Sequence, residues 1–119
     1  MHILYIFQDP LGSNDSKAGK TSHPEVRLGV YQNSYSARSH LAQFDYAFYG
    51  SKKAVDNLEK AIKTDFDWDI EQDGRGFSEW IGYHTSKQVL EKVEDIIEGY
   101  RSKVKKIPDE FLPLNINNL

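Results

Sequence analysis

The chain contains no cysteine. That excludes a disulfide framework, a thiolate zinc site, an iron–sulfur cluster and a cysteine nucleophile. Long apolar runs are missing too. The longest is Ile3-Leu4-Tyr5-Ile6-Phe7, against the about 20 residues that a transmembrane helix needs, so no membrane partner is expected. Met1-His2-Ile3 has neither the basic n-region nor the long apolar h-region of a signal peptide, and a cytoplasmic location is the expectation. Histidine is sparse. His2, His23, His40 and His84 include no pair at His-x-x-x-His spacing, which argues against zinc and leaves only a hard cation on oxygen ligands. No repeat, low-complexity tract or linker interrupts the chain.

What is present fits one folded unit. A length of 119 residues suits a single domain that buries its own core. Fifteen aromatic residues (six Phe, two Trp, seven Tyr) argue against disorder. The net charge of −3 is unevenly spread. Residues 1–63 carry eight Lys/Arg against six Asp/Glu, and residues 64–119 carry seven against twelve. The mildly basic first half suits a polyanionic partner, though dedicated nucleic-acid binders are often far more basic.

Patterning gives the elements. Residues 2–8 read as a strand, with Ile3, Tyr5 and Phe7 on one side and Leu4 and Ile6 on the other. Residues 9–15 are dense in turn formers, and 16–21 return as the second strand of a hairpin. Ser22-His23-Pro24-Glu25 is a capping box that starts a helix over about 23–32. Residues 41–49 alternate as a third strand, with Phe44, Tyr46 and Phe48 on one side. Ser51 caps a helix over about 52–65 whose apolar stripe is Val55, Leu58, Ala61 and Ile62. Residues 67–76 read as an acidic irregular stretch and 77–83 as a short extended one. Thr85-Ser86-Lys87-Gln88 starts a last helix over about 86–106, its stripe running through Tyr100 and Val104. The order predicts an α+β fold: a small, mainly antiparallel three-stranded sheet flanked by helices. Residues 1–106 form the expected domain and 107–119 a tail.

The candidate chemistry lies at Tyr5, Lys17, Gly19, Lys20, Arg27, Tyr31, His40 and Glu59. Each has an ordinary reading by itself. Tyr5 suits a core tyrosine, Arg27 a solvated helix residue, His40 a loop residue, and Glu59 an ion pair with Lys63 one turn on. The alternating acids Asp65, Asp67, Asp69, Glu71 and Asp73 imitate a calcium loop. With Asp69 first, however, position twelve is Trp80 rather than glutamate, so a solvated acidic loop is expected there.

As an ordered set, these residues resemble the GIY-YIG endonuclease superfamily, in the branch of small domains with a Lys-Ile-Gly-x-Thr type second motif. Ile3-Leu4-Tyr5 stands where Gly-Ile-Tyr would be, and Lys17-Ala18-Gly19-Lys20-Thr21 stands for the second motif. Pro24-Glu25-Val26-Arg27-Leu28 follows as the first helix with its arginine, and Tyr31 lies four residues on. Asn57-Leu58-Glu59-Lys60-Ala61-Ile62 looks like the second helix with its metal-binding glutamate, and Glu79-Trp80 resembles a pair common in this branch. The resemblance covers about 3–84. Ile3 replaces the first glycine and Lys17 the second motif's tyrosine.

The resemblance implies a metal-dependent endonuclease or nickase that hydrolyses DNA phosphodiester bonds. Tyr5, Lys17, Arg27, Tyr31 and Glu59 would be its catalytic residues. Glu59 would hold Mg²⁺, or Mn²⁺ in its place, and Gly19, Lys20 and His40 would contact phosphate. The chemistry accounts for the residue types. A carboxylate-held divalent cation helps the leaving oxygen, a guanidinium forks two phosphate oxygens, and a tyrosine beside a cation relays a proton. Lys17 is expected across the hairpin from Tyr5. Specificity would be low or supplied by a protein partner. The alternative is a GIY-YIG-like domain that binds nucleic acid or a protein without cutting.

Overall fold

The computed structural model describes residues 2–8, 14–23, 44–66, 70–72 and 79–108. Its strands are β1 (His2–Gln8), β2 (Ser16–Thr21), β3 (Tyr46–Gly50), β4 (Ile70–Gln72), β5 (Glu79–Ile81) and β6 (Lys105–Lys106). Its helices are α1 (Lys52–Asp65) and α2 (Ser86–Tyr100). The sheet order is β4-β5-β2-β1-β3-β6, and every neighbouring pair is antiparallel. The fold is α+β, as expected. The expected three strands form its centre, and three short strands widen it to six.

β1 lies inside the sheet, which explains its unbroken apolar run, since both of its faces are covered. Leu4 and Ile6 pack with Val55, Leu58 and Ile62 of α1 and with Val89, Val93 and Ile96 of α2. Ile3, Tyr5 and Phe7 face the opposite way, into a layer with Phe44, Ala47 and Ile107. Alternation along the pleat therefore divides the core into a helix-covered side and an aromatic side.

Local signals set the starts of α1 and α2. The Ser51 hydroxyl accepts the Ala54 N–H at 3.1 Å. Thr85 and Gln88 form the reciprocal capping box, with N···O distances of 3.3 and 2.8 Å. The helix expected to reach 106 instead ends at Tyr100. Arg101 adopts the left-handed conformation, with φ of 51°. The Ser102 N–H then donates to Ile97 O at 2.9 Å and the Arg101 N–H to Glu98 O at 3.3 Å, a Schellman closure. Gly99, a weak helix former, precedes this turn. Turning back here buries Val104 and Ile107 and pairs Lys105–Lys106 with β3, whereas Tyr100 is left exposed. Ile107 thus belongs to the domain, its N–H on Ala47 O at 2.8 Å. The expected tail from 109 onward lies outside the described residues.

Two further expectations change. The third strand is described from Tyr46, and a bend at Asp45 precedes it. Asp45 gives its N–H to Ile6 O at 2.9 Å and accepts the Gln8 N–H on Oδ2 at 2.8 Å. The bend breaks the alternation, so Phe44 enters the aromatic layer while Phe48 packs on the helix side. Within the acidic stretch read as irregular, Ile70–Gln72 is a strand paired with β5. Paired extended backbone there is incompatible with a calcium loop beginning at Asp69.

Candidate functional site

The β1–β2 register decides which of the predicted residues can meet. Tyr5 lies opposite Gly19, and Lys17 lies opposite Phe7. The expectation that Lys17 sits directly across from Tyr5 is therefore corrected by two residues. Lys17 does share the aromatic side with Tyr5, is buried, and pairs outward with Trp80 of β5.

Gly19 is where it is because of Tyr5. A Cβ at this position would collide with Tyr5 Oη and stand 2.6 Å from its Cζ, so the ring occupies the space that a side chain would need. Tyr5 itself is 2% exposed. It stacks on Phe44 with ring centroids 4.6 Å apart and planes at 11°, and on Phe7 at 6.0 Å. The tyrosine read as a proton relay is thus built into the dry aromatic layer.

One residue further along β2 the direction reverses. Lys20 is opposite Leu4 and projects on the helix side. Its ammonium lies 2.9 Å from Asp56 Oδ1 and 3.7 Å from Glu59 Oε1, both on α1. Asp56 Oδ2 takes the Lys52 ammonium at 2.9 Å, and Lys63 stands 3.6 Å from Glu59 Oε1. Lys52, Asp56, Glu59 and Lys63 are spaced by four, three and four residues, which places them on one edge of the helix. Hydrogen bonds from Lys52 and then Lys20 hold the Asp56 carboxyl down at about 2. The Lys20 ammonium is raised above its ordinary value of 10.5, first by its hydrogen bond to Asp56 and then by the charge of Glu59.

The structure therefore brings Lys20 and Glu59 together and sets Tyr5, Lys17 and Gly19 on the other face of the sheet. Arg27, Tyr31 and His40 lie outside the described residues. Asp56 was not singled out by sequence. Its signal was the Lys52-x3-Asp56-x2-Glu59-x3-Lys63 spacing, legible once α1 is drawn as a helix.

Among the described residues no three His, Cys, Asp or Glu gather around a common point, so an all-protein cage is not formed there. Mg²⁺ commonly takes one or two carboxylates and completes its shell with water and substrate phosphate. Glu59, the carboxylate that the resemblance assigns to the metal, has a side chain 15% exposed, and its Oε1 is shared by the Lys20 and Lys63 ammonium groups at 3.7 and 3.6 Å. No described helix is long and apolar enough to cross a membrane. No family model, curated protein or solved structure matches this chain.

Proposed function

We propose that this chain is a GIY-YIG-like, metal-dependent endonuclease or nickase that hydrolyses DNA phosphodiester bonds at the junction of β2 and α1. The observation that carries this reading is the 3.7 Å approach of Lys20, from the second motif, to Glu59, from the second helix. Two residues that the resemblance assigns to one active site, 39 positions apart in sequence, meet at the surface.

In this reading Glu59 would hold the divalent cation, whose chemistry would be to stabilise negative charge developing in the reaction. Lys20 contacts a non-bridging phosphate oxygen as a point charge. The resemblance gives Arg27 the role of forking a phosphate. Water would add to phosphorus as the P–O3′ bond breaks; Tyr31, the alternative acceptor in the resembling motif, would take the water's proton as tyrosinate, and the departing O3′ would take one from solvent. Tyr5 is buried on the other face. Gly19 makes room for the Tyr5 ring on the other face of the sheet.

A second reading has its own support. Tyr5 and Lys17 are buried on the face opposite Glu59, which favours a domain that binds nucleic acid without cutting it. Nicking of supercoiled plasmid in Mg²⁺ or Mn²⁺ separates the two. Wild type should nick, and Glu59→Gln should lose about 100-fold or more, the scale of a lost transition-state charge partner, while still binding the plasmid. Undiminished nicking by Glu59→Gln removes Glu59 from the mechanism. Binding by wild type without any nicking establishes the second reading, and absence of both removes the two together.

A further inference from the structure

We propose that the β6 edge, with the end of α2 that leads into it, is a binding track for single-stranded nucleic acid: Arg101, Lys103, Lys105 and Lys106 take the phosphates, and Tyr100 stacks on an unpaired base. Of the preceding reading it rests only on the nucleic-acid partner. It needs no metal ion and uses no residue of the β2–α1 junction.

Charge carries it. Residues 101–106 hold four basic residues and no acid. They are four of the seven Lys/Arg in residues 64–119, where twelve acids set the average, so the acidic half of the chain conceals a basic segment. All four are exposed. β6 is the last strand of the described sheet on that side, paired with β3. Val104 and Ile107 are buried on either side of it, so the cations are displayed on an anchored backbone. At the β2–α1 junction, by contrast, Lys20, Lys52 and Lys63 are answered by Asp56 and Glu59. Among the described residues Arg101, Lys103 and Lys105 enter no ion pair. Glu98 precedes the stretch and Asp109 follows it in the chain, which confines the positive region to a few phosphates.

The rings choose the single strand. Tyr100, directly before Arg101, is 78% exposed. Arg101 holds a φ of 51° at a helix end where glycine is the usual residue. Packing accounts for neither the unburied ring nor the bulky cation kept in left-handed backbone. On β6, the Lys106 ammonium lies 5.5 Å from the centroid of the Tyr46 ring, and Lys105 stands opposite Tyr49 across the ladder. Sequence-tolerant single-strand sites combine these parts: cations track the backbone while exposed rings stack bases. The bases inside a duplex are already stacked and leave no free face for Tyr100. Lysines on an edge strand also deter pairing between copies of a chain, and a cation past a helix C-terminus suits the helix dipole. Neither use calls for Tyr100 or Lys103.

Fluorescence anisotropy of a labelled oligothymidine with the full chain, in chelator and over a range of salt, tests the track. Wild type should bind, more weakly as salt rises. Arg101→Gln/Lys103→Gln and Lys105→Gln/Lys106→Gln should each weaken binding and flatten the slope of log K against log salt by about 0.7 per phosphate contact removed. Tyr100→Ala should weaken the single strand about 5- to 100-fold, the scale of one lost base stack, and leave binding of a duplex unchanged. Lys87→Gln/Lys92→Gln removes the same charge from the first half of α2 and should leave affinity and slope near wild type. Undiminished binding by the edge variants overturns the proposal, as does an equal loss in the α2 control or an equal loss of duplex binding in Tyr100→Ala. Self-association of Lys105→Gln/Lys106→Gln with unchanged binding also overturns it, by reducing the lysines to guards of the edge. Plasmid nicking keeps the two readings apart. A wild type that binds here but does not nick retains the track and loses the nuclease. A wild type that nicks, with edge variants that bind the single strand as it does, loses the track alone. A wild type that binds no single strand loses the track outright.

Discussion

Gly19 and Lys20 are adjacent in the chain and live in different worlds. Gly19 faces a dry layer in which Tyr5 lies on Phe44. Lys20 faces the wet edge of α1, where it meets Asp56 and Glu59. A single step along a pleated strand moves the side chain from one side of the sheet to the other. The second motif is therefore not one site with several reactive groups. One of its residues makes room for packing, and its neighbour supplies charge. The two sides also differ in how they are held. The aromatic side depends on area and fit, which are intolerant of missing or added atoms. The charged side depends on surface ion pairs, each typically worth about 0–1 kcal/mol and sensitive to salt and pH.

The contrast is open to test by substitution. The largest stability effect is expected on the aromatic side. Phe44→Ala removes the ring stacked on Tyr5 and should cost about 3–5 kcal/mol in chemical unfolding. A loss below about 1 kcal/mol would mean that this layer is not core. Gly19→Ala comes next. Its methyl group has no room against the Tyr5 ring, and overpacking of this kind costs about 1–3 kcal/mol. The penalty should persist in a Tyr5→Phe background, because Cζ, 2.6 Å from the added Cβ, is still present. Relief by Tyr5→Phe would locate the clash at the hydroxyl instead of the ring.

The smallest effect is expected on the charged side and is a matter of pH. Asp56 sits at about 2 in the folded chain, against an ordinary value of 3.8. A carboxyl depressed by folding stabilises the native state above its unfolded value, and that contribution disappears as pH falls through the folded one. The thermal stabilities of wild type and Asp56→Asn should therefore differ by a constant, small amount above about pH 4 and converge as the pH approaches 2. A gap that widens in acid would reverse the assigned sign.

Sequence alone determined what neighbouring residues decide between themselves. The alternation of residues 3–7, the Ser51 cap, the Thr85–Gln88 box and the Val55–Leu58–Ile62 stripe are local patterns, and each formed as its spacing required. These follow from dihedral preference and helical or pleated periodicity, which act over a few residues. The candidate site was half legible for the same reason. Glu59 could be placed beside the apolar stripe of α1, whereas nothing local revealed that Asp56, and not Glu59, would lie nearer to Lys20. Tertiary structure decided the pairings that cross the chain. The register that sets Tyr5 over Gly19, the bend that sends Phe44 to join them, and the early end of α2 that frees residues 104–107 to cover β3 all depend on contacts between distant segments. Tyrosine carries a ring that gains from burial and a hydroxyl that can do chemistry, and its sequence context suits either. Only the neighbouring strands and the Phe44 ring settled the matter for Tyr5, by closing around it.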